Sequence, residues 1–324
     1  MELVDSMLAG SELSLARLIT LVEREAFEVP QIMSRIYPSL GKAYSVGFTG
    51  PPGGGKSSLV DRLTAVMRGK GLTVGIIACD PSSPFSGGAV LGDRIRMQQH
   101  YVDKGVFIRS LATRDSRGGL SRAARGVLKL MDAFGKDFIL VETVGVGQTE
   151  LDIMDAADTT VVVLVPEAGD AIQTMKAGLL EIADIFVVNK ADREGADGLV
   201  AELEKMLHQS PKQEWWEVPV ISTQAVHDIG TEELYHNILK HREALEQTGR
   251  LALHRQRQRK GEFIHTIQQR LLARILKLLE TDGSMMASLE GVEKGETDPY
   301  SASMEILNNK TLLHNWLAEL EREK

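Results

Sequence analysis

Cysteine is almost absent from the sequence, which holds one such residue, Cys79, among its 324 positions. A single thiol excludes a framework of disulfide bonds, and it also excludes a metal site built from several cysteines. The first twenty residues lack a basic segment followed by an apolar one, and they lack an Arg-rich transit pattern. Because no feature of an exported protein is present, we expect a protein of the reducing cytoplasm.

Long apolar runs and an excess of positive charge are missing as well. No run approaches the roughly 20 apolar residues that span a bilayer, so the sequence predicts no membrane segment. The formal net charge is −8, whereas a nucleic-acid-binding surface requires clustered lysine and arginine. We therefore expect neither a membrane nor a nucleic acid as a partner. The hydrophobic content of 43% is that of a globular protein with a sizeable core.

Seven short apolar runs predict the central architecture. They alternate with helical stretches between residues 44 and 241, and they read YSVGFTG, LTVGIIACD, VFIRSL, DFILVET, TTVVVLVP, DIFVVNK and VPVIST. Continuous apolar runs are typical of strands that are covered on both faces. The sequence therefore predicts an α/β fold with a doubly wound, mostly parallel sheet. Residues 1–43 are predicted to form an N-terminal helical extension with a break near Pro30, and residues 242–324 a C-terminal helical arm.

The stretch GPPGGGKSS at residues 50–58 fits the phosphate-binding pattern G-x-x-x-x-G-K-[ST], and it stands between a predicted strand and a predicted helix. Backbone N–H groups of such a loop turn toward phosphate oxygens at a helix N-terminus, where the helix dipole favours anions. Lys56 is predicted to reach the β- and γ-phosphates, and the Ser57 hydroxyl to bind Mg²⁺. The predicted phosphate-site residues are Gly53, Gly54, Gly55, Lys56, Ser57 and Ser58.

The run DFILVET ends in a carboxylate, Glu142, and Gly145 follows three residues later. A carboxylate at this position holds Mg²⁺ directly or through water, and a glycine there allows a backbone N–H to approach the γ-phosphate. In Ras-like proteins a water-positioning glutamine follows the glycine directly, but here Val146 follows it. We therefore expect slow intrinsic hydrolysis, or a catalytic group supplied by a partner or from elsewhere in the chain, with Gln148 as a candidate.

Two aspartates follow the second predicted strand. Asp80 ends the strand, and Asp93 with Arg94 follows a loop rich in glycine, proline and serine. Open α/β sheets bind ligands at the carboxyl ends of their strands, so both aspartates are candidates for binding Mg²⁺ or activating water. Arg94 has the alternative role of a salt-bridge neighbour of Asp93. The predicted metal ligands are Ser57, Asp80, Asp93 and Glu142, and the predicted catalytic residues are Lys56, Asp93 and Glu142.

The tetrad Asn189-Lys190-Ala191-Asp192 matches N-K-x-D and follows the sixth predicted strand. The Asp192 carboxylate is suited to accept two hydrogen bonds from guanine N1–H and the exocyclic amine, while the lysine stem packs along the base. Adenine has no such paired donors on that edge, so the predicted ligands are GTP and GDP. Ser222 and Thr223 are predicted to form a second base-contacting loop. Residues 44–241 are thus predicted to be a P-loop GTPase domain.

Together these motifs resemble the SIMIBI class of GTPases, and more closely the MeaB/ArgK-type GTPases, which are associated with adenosylcobalamin-dependent acyl-CoA mutases such as methylmalonyl-CoA mutase. The likeness covers about residues 8–260 and rests on GPPGGGKSSL, CDPSSPFSGGAVLGDRIRM, the block from VETVGVGQ to NKAD, and WWEVPVISTQA. Transferred by this resemblance, the phosphate and Mg²⁺ set is Lys56, Ser57, Asp80, Asp93 and Glu142, and the guanine set is Asn189, Lys190 and Asp192.

The resemblance also implies a role and partners. It implies a homodimeric GTPase, with the C-terminal arm as dimer contact, that gates adenosylcobalamin delivery to a B12-dependent mutase and protects that mutase. An adenosyltransferase is a further implied partner. The segment PEAGDAIQTMKAG at 166–178 resembles a switch loop that relays nucleotide state to the mutase, with Asp170, Gln173 and Lys176 as its polar members. The alternative for this segment is a solvated helix start.

Three other functions remain open at this level. A metallochaperone GTPase of nickel or cobalt maturation requires a His-rich tail or paired cysteines, which the sequence does not supply. A protein-targeting GTPase requires a Met-rich helical domain, whereas the methionines here are scattered. A kinase or ATPase linked to basic amino-acid transport is the third.

Some parts of the sequence depart from the pattern of the MeaB/ArgK-type family. They are the segments TRDSRGGLS and VHDIG and the residues from about Leu271 onward.

Overall fold

A seven-stranded parallel sheet forms the centre of the structure, a computed structural model that describes residues 2–81, 97–113, 122–143, 156–168, 182–209 and 215–309. The strands lie in the order β3-β2-β4-β1-β5-β6-β7, and each neighbouring pair is parallel. Their bounds are Tyr44–Thr49 (β1), Val74–Pro81 (β2), Val106–Thr113 (β3), Phe138–Thr143 (β4), Thr159–Leu164 (β5), Ile185–Asn189 (β6) and Val220–Thr223 (β7). All seven predicted strands are confirmed, and so is the predicted fold class.

Helices flank the sheet and continue beyond it. Within the described residues they are Glu2–Leu8 (α1), Glu12–Glu23 (α2), Val29–Ile36 (α3), Lys56–Gly69 (α4), Arg122–Phe134 (α5), Ala196–Gln209 (α6), Thr231–Gln247 (α7), Arg250–Thr281 (α8), Gly283–Glu293 (α9) and Pro299–Asn308 (α10). Pro30 lies in the first turn of α3, where its missing N–H costs no helical hydrogen bond. The predicted break near Pro30 is therefore the junction between α2 and α3.

Both faces of the sheet are covered by apolar side chains. On one face, buried residues of α4 and α7 such as Leu63 and Ile238 pack with Val46 and Leu140. On the other, helices α1, α2, α3 and α5 pack against alternate strand residues such as Ile77 and Ile139. A third cluster joins α6 to β5 and β6. The first three helices thus form part of the layer over the sheet.

The chain divides into two compact units, residues 1–258 and 259–324. The first contains the sheet and the helices over its faces, and the second contains most of α8 together with α9 and α10. The functional division at residues 43 and 241 stays a prediction. No helix in the described ranges is both long and apolar enough to cross a membrane.

A buried ion pair joins the beginning of α8 to the end of the sheet where the strands begin, here called the amino edge. The Asp158 carboxylate lies just before β5 and accepts hydrogen bonds of 2.9 Å from the backbone N–H and the hydroxyl of Ser45. It also accepts from Arg255 Nε and Nη2, each at 2.9 Å. The same guanidinium donates to the carbonyl oxygens of Gly41 and Ala43. One arginine therefore satisfies acceptors on three residues, which belong to two segments of the chain.

A second polar cluster lies at the same edge. The Tyr44 hydroxyl and Thr159 Oγ1 are 2.6 Å apart, and Thr159 Oγ1 lies 2.9 Å from His241 Nδ1. Burial lowers the pKa of His241 to about 4, so this imidazole is neutral near pH 7. The amino edge is thus closed by hydrogen bonds among its own side chains.

Replacing Arg255 with methionine is expected to destabilise the protein strongly. Asp158 is only 3% exposed in its side chain, so the variant leaves a buried carboxylate without its cation. Breaking a buried pair in this way costs about 3 kcal/mol. Urea unfolding measures this loss. The control is Arg35→Met, because the Arg35–Asp5 pair is 53% exposed on both sides and its loss is expected to cost under about 1 kcal/mol. Equal costs in the two variants contradict the account.

Candidate nucleotide site

At two positions, the loop between β1 and α4 has a conformation that only glycine tolerates. Gly50 has φ +140°, and a Cβ there would lie 2.0 Å from the carbonyl oxygen of Val163 on β5. Gly55 has φ +83°, and a Cβ there would lie 2.3 Å from Asn189 Nδ2. Both values lie in the region that L side chains rarely adopt. The glycines therefore bring the loop close to β5 and to the end of β6.

Lys56 begins α4 and is 6% exposed. Its Nζ donates to the carbonyl oxygens of Gly50 at 2.8 Å and Pro51 at 3.0 Å, so the ammonium group lies across the phosphate loop. The first turn of the helix follows at once, and it adds the favourable end of the helix dipole to this positive charge. The loop thus presents a lysine and a helix N-terminus at one place, as the sequence predicts.

Ser57 and Glu142 come together although 85 residues separate them. Glu142 lies on β4, where it pairs in register with Phe48 of the neighbouring strand β1. The Ser57 hydroxyl donates to Glu142 Oε1 at 2.7 Å, and both residues are 4% exposed. Hydroxyl and carboxylate oxygens are the hard donors that Mg²⁺ prefers. The chemistry of this donor pair therefore fits a magnesium ion beside the phosphate loop.

The other predicted magnesium and switch residues are placed only in part. The backbone of Asp80 lies near the end of β2, which neighbours β4, but its side chain is not described. The remaining residues lie outside the described residues; they are Asp93, Arg94, Gly145, Val146, Gln148, Asp170, Gln173 and Lys176. Their predicted roles stay predictions.

The Asn189 side chain joins the phosphate loop to β7. It lies at the end of β6 and is 2% exposed. Its Nδ2 donates to the carbonyl oxygen of Gly54 at 2.9 Å. Its Oδ1 accepts from Thr223 Oγ1 at 3.1 Å and from the Ala225 N–H at 3.2 Å. Asn189 therefore fixes the relative positions of the loops that are predicted to bind phosphate and base.

The other residues of the N-K-x-D motif lie nearer the surface than Asn189. Lys190 has φ +57° and is partly exposed, and Asp192 is exposed. The Ala191 N–H donates to the carbonyl oxygen of Thr223 at 3.0 Å, which pins this turn to the end of β7. Ser222 is exposed, whereas Thr223 is fully buried with its hydroxyl on Asn189. Within the described contacts, Thr223 supports the site through Asn189.

Sequence reasoning missed Ala225, which follows β7 and donates the second hydrogen bond to Asn189 Oδ1. Its contribution comes from its backbone N–H, and no side-chain pattern signals a backbone donor. It also missed Arg62 of α4, whose Nε donates to the Ala225 carbonyl oxygen at 3.2 Å. Both residues border the predicted base loop and lack a recognisable motif.

Asp61 of α4, one turn beyond Ser57, forms a second buried pair with His100. Asp61 receives a hydrogen bond of 2.6 Å from Gln99 Nε2, and His100 Nε2 lies 3.3 Å from Asp61 Oδ1. Burial by itself lowers the pKa of His100, but its hydrogen bonds with Asp61 outweigh that effect and raise the pKa. The pair therefore holds the chain after residue 96 against the helix that begins in the phosphate loop.

Gly50→Ala is expected to reduce the free energy of unfolding by about 3–5 kcal/mol, because a methyl group adds both backbone strain and a clash with Val163. Gly53→Ala is the matched variant. Gly53 has φ +73° but no heavy atom within 4 Å of an added Cβ, so a loss of about 1 kcal/mol is expected. Denaturant unfolding without nucleotide measures both. The same loss in the two variants means that the contact with β5 is unimportant.

Comparison with known proteins identifies the family. Residues 15–280 match the family described as methylmalonyl Co-A mutase-associated GTPase MeaB. A protein of Pyrococcus abyssi that is named as a GTPase is 50% identical over 310 residues, which cover 94% of this chain and 95% of the relative. The GTPase ArgK of Escherichia coli is 35% identical over 257 residues, or 77% of this chain and 78% of ArgK.

One further relative and one solved structure are also similar to this chain. The methylmalonic aciduria type A homolog of mouse mitochondria is 33% identical over 288 residues, covering 83% of this chain and 69% of the relative. The crystal structure titled LAO/AO transport system kinase superposes with a TM-score of 0.71 at 27% identity, covering 94% of this chain and 95% of the other. The predicted family, the P-loop GTPase fold and guanine nucleotide binding are confirmed. The chain belongs to the MeaB family of GTPases and hydrolyses GTP.

Proposed function

We propose that this GTPase is a chaperone for a B12-dependent acyl-CoA mutase of the methylmalonyl-CoA mutase type. GTP hydrolysis gates the delivery of adenosylcobalamin to the mutase and protects the mutase, and an adenosyltransferase is a further partner. The observation that carries this proposal is the match of residues 15–280 to a family described as mutase-associated. The similarity to the methylmalonic aciduria type A homolog supports it.

The loop geometry supports the proposed phosphate chemistry. Lys56, which lies across the loop, neutralises charge on the β- and γ-phosphates, and backbone N–H groups of Gly53, Gly54, Gly55 and Ser58 surround the phosphate oxygens. Ser57 and Glu142, which are joined by a hydrogen bond, would hold Mg²⁺ together with Asp80 and Asp93. When bound, this ion would neutralise the charge that develops on the phosphates. Gly145 donates its N–H to the γ-phosphate.

In the proposed base site, each of the N-K-x-D residues has a different role. Exposed Asp192 accepts the two donors of guanine, and the Lys190 stem packs on the ring. Asn189 keeps this loop next to the phosphate loop through its bond to Gly54. Ser222 and Thr223 complete the second base loop, in which the Thr223 hydroxyl acts through Asn189. The base and the phosphates are thus bound by one connected set of groups.

The segment 166–178 is proposed to relay nucleotide state to the mutase. It begins two residues after the end of β5, and its described beginning is Pro166–Ala168. Glu167 forms an ion pair with Arg193, the residue after Asp192, and this pairing lowers the pKa of Glu167. The segment therefore starts in contact with the loop that carries the base motif.

The alternative role of a metallochaperone requires a cluster of metal-binding side chains. Among the residues that the structure describes, there is no such cluster.

The C-terminal arm is proposed to join two copies of the chain. Helices α8, α9 and α10 carry apolar side chains that are about half exposed or more, among them Phe263, Leu271, Leu276, Met304 and Leu307. A row of such side chains on a charged helical arm favours burial against a partner. Light scattering of the intact protein is expected to give the mass of a dimer, and the mass of a monomer contradicts this assignment.

Asp192→Asn is expected to shift nucleotide preference from guanine toward xanthine. The amide offers a donor where the carboxylate offers an acceptor, and xanthine presents an acceptor at the edge where guanine presents its amine. Loss of a hydrogen bond to a charged group is expected to weaken GDP binding by about 1.5–3 kcal/mol. Calorimetry with GDP and xanthosine diphosphate measures the shift. Unchanged preference contradicts the base assignment.

Glu142→Gln is expected to raise the Mg²⁺ concentration needed for half-maximal GTP turnover by about 10–100-fold. The substitution keeps the shape of the side chain but removes the charge next to Ser57. GDP binding without Mg²⁺ is expected to stay near the wild-type value, because Glu142 is not in the phosphate loop. Glu232→Gln, at an exposed carboxylate on α7, is the control. A normal Mg²⁺ dependence in Glu142→Gln removes this carboxylate from the metal site.

The chaperone proposal is tested with an acyl-CoA mutase and the variants Gln173→Ala and Lys176→Ala. Both are expected to bind GTP almost normally but to lose the change in turnover that the mutase causes, because the segment carries no phosphate or base motif. Lys205→Ala, at an exposed lysine of α6, is the control. A normal response in both variants contradicts the relay. If wild-type protein binds no B12-dependent mutase in either nucleotide state, the chaperone function is wrong.

A further inference from the structure

We propose that Arg62 is a positioning residue for guanine selectivity. Arg62 lies on α4, the helix that begins in the phosphate loop, and its side chain binds the turn that follows β7. This inference rests on the proposed placement of guanine beside Asp192. Arg62 does not itself contact the nucleotide in this proposal. It acts through the backbone of Ala225 and so fixes the second loop of the base site.

Both backbone polar groups of Ala225 are held by other elements. Arg62 Nε donates to its carbonyl oxygen at 3.2 Å, and its N–H donates to Asn189 Oδ1 at 3.2 Å. Ala225 itself is 3% exposed. A bond from a guanidinium to a carbonyl is charge-assisted and stronger than one between neutral groups. The residue is therefore clamped between α4 and the end of β6.

The turn that contains Ala225 is closed by its own backbone hydrogen bonds. Gln224 and Ile229 exchange backbone hydrogen bonds of 3.0 and 3.3 Å, and the His227 N–H donates to the Gln224 carbonyl oxygen at 2.9 Å. Gly230 then enters α7 with φ +81°, where a Cβ would lie 2.3 Å from the carbonyl oxygen of Ser222. Because its internal bonds are local, the turn is placed against the base site by its contacts with other elements. Arg62 supplies one of these.

Three hydrogen bonds connect this turn and the end of β7 to the loop that carries the Asp192 carboxylate. The Thr223 carbonyl oxygen accepts from the Ala191 N–H at 3.0 Å, next to Asp192. The Thr223 hydroxyl and the Ala225 N–H share Asn189 Oδ1. Movement of the segment after β7 therefore changes where the Asp192 loop lies relative to the phosphate loop.

Helices α4 and α7 are also joined by contacts that do not involve the turn. Lys70 pairs with Glu232 at 2.7 Å, and its ammonium lies 5.0 Å from the centre of the Tyr235 ring. Buried leucines of both helices, Leu63 and Leu234 among them, share one apolar cluster. Removing the Arg62 guanidinium therefore removes one of the contacts that place the turn and leaves the two helices packed.

The test compares the GDP and ADP dissociation constants of Arg62→Met, Arg62→Gln and Arg62→Lys with those of the wild type. In Arg62→Met and Arg62→Gln the preference for GDP over ADP is expected to fall by about tenfold, since loss of the charged bond weakens the attachment of the turn to α4. Arg62→Lys is expected to recover part of the preference, because its ammonium donates to the same carbonyl. Lys70→Met removes the exposed contact between the same helices and is expected to keep the wild-type preference.

Circular dichroism establishes that each variant is folded before its binding is measured. A wild-type GDP-over-ADP preference in folded Arg62→Met or Arg62→Gln overturns the inference, and so does an equal fall in Lys70→Met. Asp192→Asn separates this result from the proposed function. If Asp192→Asn changes the preference and the Arg62 variants do not, only the role of Arg62 is wrong. If Asp192→Asn also leaves the preference unchanged, the placement of guanine is wrong and the inference falls with it.

Discussion

The side-chain amide of Asn189 is the interaction on which the nucleotide site depends. It binds the Gly54 carbonyl oxygen on one side and the Thr223 hydroxyl and Ala225 N–H on the other. These contacts explain why Gly55 has no room for a side chain, because an added Cβ would meet Asn189 Nδ2. One amide therefore makes the phosphate loop, the end of β6 and the turn after β7 a single structural unit.

The parallel sheet makes that unit possible. Strands β4, β1, β5, β6 and β7 are neighbours and run in the same direction, so their carboxyl ends form one edge. Glu142, the phosphate loop and Asn189 all lie there, which is where open α/β sheets bind ligands. The opposite edge is closed by Asp158 with Arg255 and by the cluster around His241. Binding and structural polar groups are thus separated to opposite ends of the strands.

Much of this arrangement could be predicted because its signals are local. Each strand is a continuous apolar run, and the phosphate and base motifs stand directly after strands. The Ser57–Glu142 contact could also be predicted, since both residues lie at the carboxyl edge and both belong to motifs. The bond from Arg62 to Ala225 spans 163 residues and ends on a backbone oxygen. No sequence pattern marks such a bond, because it depends on how α4 packs beside the turn. For the same reason, the burial of Thr223 against Asn189 was not foreseen.

Hydrogen–deuterium exchange with Mg²⁺ and either GDP or ADP tests most directly whether one guanine nucleotide site spans these loops. GDP is expected to slow exchange in residues 50–58, 189–192 and 222–227 together, because the nucleotide stabilises segments that Asn189 already connects. ADP is expected to leave exchange in residues 189–192 unchanged. Equal protection by GDP and ADP, or protection by GDP that excludes residues 189–192, would contradict the account.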